Sequence, residues 1–221
     1  MGKMVEFKTP DGSKVQGYLA EPAKAGAPGV VVIQEWWGLN PQIKGVADRF
    51  AKAGYRALAP DLYKGRVTAK PDEANHLMTG LDFPGATNQD IRGAVQYLKA
   101  ASSKAAVLGF CMGGALTIMS AVHVAEADAG VCFYGIPPAS AADPAKIRVP
   151  LQVHFAAQDD WCTPAAVNAL EEKLRAAKAK FELYRYPGAH GFFNEQRPEV
   201  YDPKAAKEAW ERTLAFLKTH L

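Results

Sequence analysis

Short apolar runs alternate with longer amphipathic stretches along almost the whole chain. Gly29–Ile33, Ala105–Phe110 and Ala129–Tyr134 are continuous apolar runs, the pattern of strands that are buried on both faces. Asn88–Ala101 instead carries its apolar residues at helical spacing and predicts a helix. Strands that alternate with helices in this order predict an α/β fold with a mostly parallel sheet.

Turn and capping residues mark the ends of these elements. Pro10–Ser13 separates Met4–Lys8 from Val15–Ala20 and predicts a hairpin, so we expect the sheet to begin antiparallel. A capping residue followed by proline predicts a helix start in three places, at Asn40-Pro41, Thr163-Pro164 and Asp202-Pro203. Three more runs bring the sheet to about eight strands: Tyr55–Ala59, Pro150–Ala156 and Phe181–Tyr186.

Residues 64–87 lack clear periodicity and contain several glycines and prolines. We therefore expect them to form a long excursion with one short helix. Such insertions at strand ends commonly cover a functional site.

The composition excludes several classes of protein. The 221 residues fit one domain spanning residues 1–221, and a net charge of +3 without a basic run argues against nucleic acid or an anionic membrane as partner. Three widely spaced cysteines match neither a disulfide framework nor a zinc pattern. The N-terminal segment has no apolar core of a signal peptide, so a cytoplasmic location is expected. A monomer or small homo-oligomer is expected as well.

The run Ala105–Phe110 ends in a Gly-x-Cys-x-Gly pattern centred on Cys111. A tight turn from strand to helix needs small residues around its central residue, and Gly109 and Gly113 meet that need. Such a turn lifts the Cys111 side chain beside a helix N-terminus, which favours a negative sulfur, and the Met112 amide would donate to an oxyanion. The alternative interpretation is a small buried cysteine in a packing turn.

Cys111, Asp159 and His190 follow predicted strand ends in the order of the α/β-hydrolase triad. His190 would take the thiol proton and later protonate the leaving group, while Asp159 would orient the imidazole. Asp160 is an alternative partner, but Asp159 follows its strand directly. Cys162 is interpreted as a passive side chain, and the remaining histidines are interpreted as structural: His76, His123, His154 and His220.

Five motifs at predicted strand ends are more specific together than any of them alone. They are Gln34-Glu35-Trp36-Trp37-Gly38, Ala59-Pro60-Asp61-Leu62-Tyr63, Gly109-Phe110-Cys111-Met112-Gly113-Gly114, Gln158-Asp159 and Ala189-His190-Gly191-Phe192. This set resembles the dienelactone hydrolase family over nearly the whole chain.

The resemblance implies an α/β-hydrolase fold without a separate cap domain and the same cysteine, aspartate and histidine triad. It also implies that Glu35 contacts the resting thiol and that the backbone amides of Trp36 and Met112 form the oxyanion hole. No metal and no organic cofactor are implied. A carboxylate beside sulfur disfavours the thiolate, so Glu35 would keep Cys111 protonated until substrate displaces it. The alternative is that Glu35 only caps a loop or pairs with a basic side chain.

The residues expected to bind substrate depart from the family pattern. Family members hold an acidic dienelactone with two arginines, but here one cation is shifted to Arg66 and Asn194 stands in place of the other, with Arg197 further along. A bidentate carboxylate clamp is therefore not predicted. Several aromatic residues suggest an apolar pocket, although Trp37 has core packing as its alternative: Trp36, Trp37, Trp161, Phe192 and Phe193.

The sequence thus predicts a hydrolase of small esters or lactones that acts through a thioester on Cys111. Two alternatives stay open at this point. One is a broad carboxylesterase with no role for dienelactone, and the other is a non-catalytic protein of the same fold that binds a small molecule.

Overall fold

A single sheet of eight strands organises the chain. The computed structural model describes residues 1–221, and its strands lie in the order β1-β2-β4-β3-β5-β6-β7-β8. The strands are β1 (Lys3–Lys8), β2 (Lys14–Ala20), β3 (Gly29–Ile33), β4 (Arg56–Pro60), β5 (Ala105–Phe110), β6 (Ala129–Phe133), β7 (Leu151–Gln158) and β8 (Phe181–Ala189).

The pairing confirms the mostly parallel α/β sheet that the sequence predicts. β1 and β2 form the expected antiparallel hairpin, and β2 pairs antiparallel with β4. From β4 to β8 every neighbouring pair is parallel. The carboxyl ends of these six strands therefore meet at one edge of the sheet, which is where α/β proteins place their ligands.

Both faces of the sheet are buried, which explains the continuous apolar runs. In β3, Val31 and Ile33 belong to one core cluster, while Val30 and Val32 belong to the other. Side chains alternate between faces along a strand, so a strand covered on both sides needs apolar residues at every position.

Seven α-helices cover these two faces. The cluster containing Val30 includes residues of the first and last helices, and the other cluster includes residues of the helices between them. The helices are α1 (Pro41–Lys52), α2 (Pro71–Thr79), α3 (Phe83–Gly85), α4 (Arg92–Lys99), α5 (Met112–His123), α6 (Pro164–Ala176) and α7 (Pro203–His220).

The three predicted helix starts are confirmed. Asn40 accepts a hydrogen bond from the Ile43 amide at the start of α1, and Thr163 accepts one from Ala166 at the start of α6. Asp202 accepts from the Lys204 and Ala205 amides at the start of α7. Each cap satisfies an amide that lacks an intrahelical partner, and the proline that follows has no N–H to satisfy.

The excursion predicted over residues 64–87 contains the expected short helix, α2, and also the three-residue helix α3. The helix predicted over residues 88–101 differs in detail, because residues Ala86–Ile91 form a π-helical segment before α4 begins at Arg92. A π-helical turn takes up extra residues without ending the helix. No helix of the protein is both long enough and apolar enough to cross a membrane.

Candidate active site

The turn between β5 and α5 places Cys111 at the carboxyl edge of the sheet. Cys111 has φ 54° and ψ −117°, a backbone conformation with positive φ that a residue with a side chain adopts only under strain. The turn closes because its flanking glycines have no side chains. A Cβ on Gly109 would lie 2.1 Å from the Gly113 carbonyl oxygen, and one on Gly113 would lie 2.5 Å from that of Gln34. The predicted elbow is therefore present, and its sulfur-bearing residue is partly exposed.

His190 and Asp159 form a hydrogen-bonded pair beside the elbow. The Nδ1 atom of His190 lies 2.9 Å from Oδ2 of Asp159, whose side chain is fully buried. The other carboxylate oxygen, Oδ1, accepts hydrogen bonds from the backbone amides of Trp161 and Cys162, both at 2.8 Å. The carboxylate is thus fixed by its own loop, and Asp160, one residue further along, is exposed instead.

The charges of this pair support each other. Burial disfavours both charged forms, but the Asp159 hydrogen bond and the nearby Cys111 sulfur raise the pKa of His190 to about 10. At Asp159 burial acts to raise the pKa, but the hydrogen bond and the charge of His190, together with the two loop amides, outweigh it and lower the pKa of that carboxyl. The Nε2 atom of His190 is buried and makes no hydrogen bond, so it is free to exchange a proton with a reacting group.

The other two thiols are poor nucleophiles. Burial raises the pKa of Cys132 to about 12, and it raises the pKa of Cys162 still further. The Cys162 sulfur does lie near the pair, since single donor atoms of Asp159, Cys162 and His190 lie within 4.8 Å of one another. Nδ1 of His190 and Oδ2 of Asp159 are already hydrogen-bonded to each other, so both atoms are engaged within the protein.

Two backbone amides are available for an oxyanion. Met112 is the first residue of α5, so its N–H has no intrahelical acceptor. The Trp36 amide lies in the loop after β3 and donates to no backbone or side-chain acceptor. Trp36 and Cys111 line the same cleft.

Glu35 is buried and both of its oxygens are occupied. Its Oε1 accepts from the Tyr134 hydroxyl at 3.1 Å, and its Oε2 accepts from Nδ2 of Asn194 at 2.7 Å. Burial raises the pKa of Glu35, and the Asn194 hydrogen bond only partly offsets that effect. Both donors, the Tyr134 hydroxyl and the Asn194 amide, are neutral. Neither oxygen of Glu35 makes a hydrogen bond to the Cys111 sulfur.

Tyr134 is a residue of this site that the sequence interpretation does not single out. It is buried, has φ 38°, and links Glu35 to His190, because its ring lies edge-to-face against the imidazole at 4.9 Å. Its neighbour Gly135 packs against the elbow, where a Cβ would lie 2.4 Å from the Cys111 carbonyl oxygen. The sequence feature that could have identified Tyr134 is its position directly after a buried strand and before a glycine.

The cleft above Cys111 has a volume of about 250 Å³ and contains both Cys111 and His190. Apolar side chains form much of its wall, with Asp160 and Arg197 as charged residues of opposite sign. The uncharged lining residues are Trp36, Met78, Gln158, Trp161, Ala189 and Val200.

The four predicted substrate-binding residues do not come together here. Arg66 is exposed and lines a separate cleft of about 430 Å³ beside the β1–β2 hairpin. Phe192 is completely buried, and Trp37 is 7% exposed beneath the Arg197 guanidinium. Asn194 is also buried and holds Glu35. These three side chains point into the interior. Of the other residues that the sequence suggests for the pocket, Trp36, Trp161 and Arg197 do line the cleft.

A parallel sheet covered on both faces, a strained cysteine elbow and a His–Asp pair at one sheet edge define an α/β-hydrolase. The model of the "Dienelactone hydrolase family" matches residues 15–221. The chain belongs to that family and is a hydrolase of carboxylic ester or lactone bonds.

Relatives align over nearly their full lengths. "Protein usf" of Aquifex pyrophilus is 39% identical over all of both chains, and "Carboxymethylenebutenolidase 1" of Cupriavidus pinatubonensis is 30% identical over 96% of this chain and 95% of its own. A crystal structure from Klebsiella pneumoniae, named as a candidate dienelactone hydrolase, is 26% identical. It covers 97% of this chain and 98% of its own with a TM-score of 0.85.

Proposed function

We propose that the protein hydrolyses small esters or lactones through a covalent thioester on Cys111. The observation that carries this proposal is the 2.9 Å hydrogen bond between His190 and Asp159 beside the strained elbow of Cys111. A relative named as a carboxymethylenebutenolidase supports a lactone among the substrates.

In the first half-reaction the thiol proton of Cys111 has passed to Nε2 of His190. The resulting thiolate attacks the substrate carbonyl carbon, and the amides of Trp36 and Met112 stabilise the oxyanion that forms. The imidazolium of His190 then gives its Nε2 proton to the leaving oxygen as the carbon–oxygen bond breaks. A lactone keeps its new hydroxyl group attached to the acyl chain, whereas an ester releases an alcohol. Asp159 stabilises the imidazolium throughout.

In the second half-reaction His190 takes a proton from water, and the hydroxide attacks the thioester carbonyl. The same two amides stabilise the second oxyanion. Collapse of this intermediate breaks the carbon–sulfur bond, releases the carboxylic acid and returns the sulfur and the imidazolium to their starting states.

Pre-steady-state kinetics with p-nitrophenyl acetate test the nucleophile. We expect the wild-type protein to release p-nitrophenol in a burst equal to the enzyme concentration, and Cys111→Ala to abolish both burst and turnover. The control is the double variant Cys132→Ser, Cys162→Ser, which should keep most of the activity because both thiols are buried and remain protonated. An active, folded Cys111→Ala protein would refute Cys111 as the nucleophile, and a folded wild-type protein without a burst or turnover would leave a binding role for this fold.

A further inference from the structure

Trp161 is an exposed indole held at the rim of the active-site cleft. It is 62% exposed, one of few large apolar side chains that face solvent in this protein. Its backbone amide donates to Oδ1 of Asp159 at 2.8 Å, so the loop that fixes the catalytic carboxylate also fixes the position of Trp161.

Trp161 continues an aromatic series that begins in the core. Trp37 is buried, Trp36 packs edge-to-face against it at 5.0 Å, and Trp161 packs edge-to-face against Trp36 at 5.6 Å. The last two line the cleft, and the Trp161 ring centroid lies 6.3 Å from that of His190. The series therefore extends apolar surface to the reacting groups and ends at an uncovered ring.

The charges around this surface do not favour an ionic contact. Asp160 and Arg197 are the charged lining residues apart from His190, and they have opposite signs. Arg197 is also engaged elsewhere, because it pairs with Glu199 at 2.6 Å and lies over the Trp37 ring. Met78 and Val200 add apolar surface to the same cleft.

We propose that Trp161, with Trp36, binds an apolar planar ring of the substrate and so determines which esters or lactones the enzyme prefers. This inference rests on the proposed chemistry at Cys111. A volume of about 250 Å³ lies just below the usual range for ligand pockets, so the ring is a single one rather than a fused system. Covering the indole removes apolar surface from water, and aromatic edge-to-face contact adds further stabilisation.

Comparison of phenyl acetate with ethyl acetate tests the inference. We expect Trp161→Ala to lower kcat/KM for phenyl acetate by about tenfold, the effect of about 1.4 kcal/mol, mainly through a higher KM. Ethyl acetate has no ring, so its kcat/KM should change by less than a factor of about two on the same scale. Trp161→Phe, which keeps an aromatic ring, should recover most of the loss.

The adjacent residue provides the matched control. Asp160→Ala removes an exposed side chain from the same loop and cleft, and it should leave the ratio of the two kcat/KM values unchanged. Equal losses for both esters in Trp161→Ala would show a role in holding the loop, and no loss for either would show that the ring binds elsewhere. Both results overturn the inference.

Failure of the proposed chemistry gives a different result. In that case the wild-type protein hydrolyses neither ester in a Cys111-dependent manner. Calorimetric titration with acetophenone, an uncharged ring that carries no ester, then decides the binding question alone. Weaker binding to Trp161→Ala than to the wild type supports the inference, and equal binding refutes it.

Discussion

At the scale of single residues, the two adjacent aspartates have different surroundings and should respond differently to the same substitution. In Asp159→Asn, the side-chain oxygen can still accept hydrogen bonds from the two loop amides, so the NH₂ group faces His190. This NH₂ group donates to Nδ1 and imposes the wrong tautomer on the imidazole. Turnover should fall by about 10⁴-fold, as in other triads. Asp160→Asn changes an exposed group without a side-chain hydrogen bond and should change turnover little. The reverse ranking, measured as kcat on p-nitrophenyl acetate, would make Asp160 the partner.

Protonation gives this pair a stability signature of its own. The raised pKa of His190 adds stability that is complete below the ordinary histidine value and is lost as the pH rises through about 10. The lowered pKa of Asp159 adds stability that is complete above the ordinary aspartate value and is lost in stronger acid. The difference in free energy of unfolding between wild type and Asp159→Asn should therefore be largest between about pH 4 and pH 6.5, as measured by urea denaturation.

Glu35 is the second residue whose charge should matter. In Glu35→Gln, one oxygen can still accept from Asn194, and the new NH₂ can donate to the Tyr134 hydroxyl, so the buried contacts survive. The loss of negative charge should favour the thiolate and speed iodoacetamide modification of Cys111 several-fold near neutral pH, while ester turnover falls. The exposed Glu195→Gln is the charge-matched control. An unchanged modification rate in a folded Glu35→Gln protein would leave Glu35 with a structural role.

At the scale of elements, the β5–α5 turn depends on close backbone contact. Gly109→Ala would place a Cβ 2.1 Å from the Gly113 carbonyl oxygen, which belongs to a rigid backbone. We expect a loss of at least about 1–3 kcal/mol in the free energy of unfolding and a larger proportional loss of turnover, because the elbow must shift. Urea denaturation measures the loss of stability, and kinetic assays on the same preparations measure the loss of kcat.

The control for that change lies in α1. A Cβ on Gly45 would meet nothing within 4 Å, and alanine favours helix over glycine. Gly45→Ala should therefore raise stability by about 0.5–1 kcal/mol and leave turnover unchanged. If Gly109→Ala were as well tolerated as Gly45→Ala, the tight elbow geometry would not be needed for folding or for activity.

At the scale of the whole molecule, the convergence of the three proposed catalytic residues could be predicted because it depends on strand ends. Apolar runs locate β5, β7 and β8, and parallel strands bring their carboxyl ends to one edge, so Cys111, Asp159 and His190 had to lie near one another. Capping residues located the starts of α1, α6 and α7 for a similarly local reason. None of this required knowledge of how side chains pack.

Side-chain direction was the part that could not be predicted. Phe192 and Asn194 follow His190 so closely that the sequence places all of them at the cleft, but the turn after β8 directs these two into the core. The position of the Arg66 side chain depends on the path of the segment between β4 and α2, and the sequence of that segment shows little periodicity. Tyr134 was missed because its role depends on a left-handed backbone that only the packed neighbours impose.

The position of β8 in the sheet has a consequence for how the enzyme is inactivated. β8 has a strand neighbour on one side only, and its pairing with β7 is irregular between Ala156 and Gln158. His190 follows it directly. Strands at such margins open in local fluctuations that cost less than global unfolding. Because each such opening would separate the imidazole from Asp159, we expect heating to abolish activity before the central strands unfold.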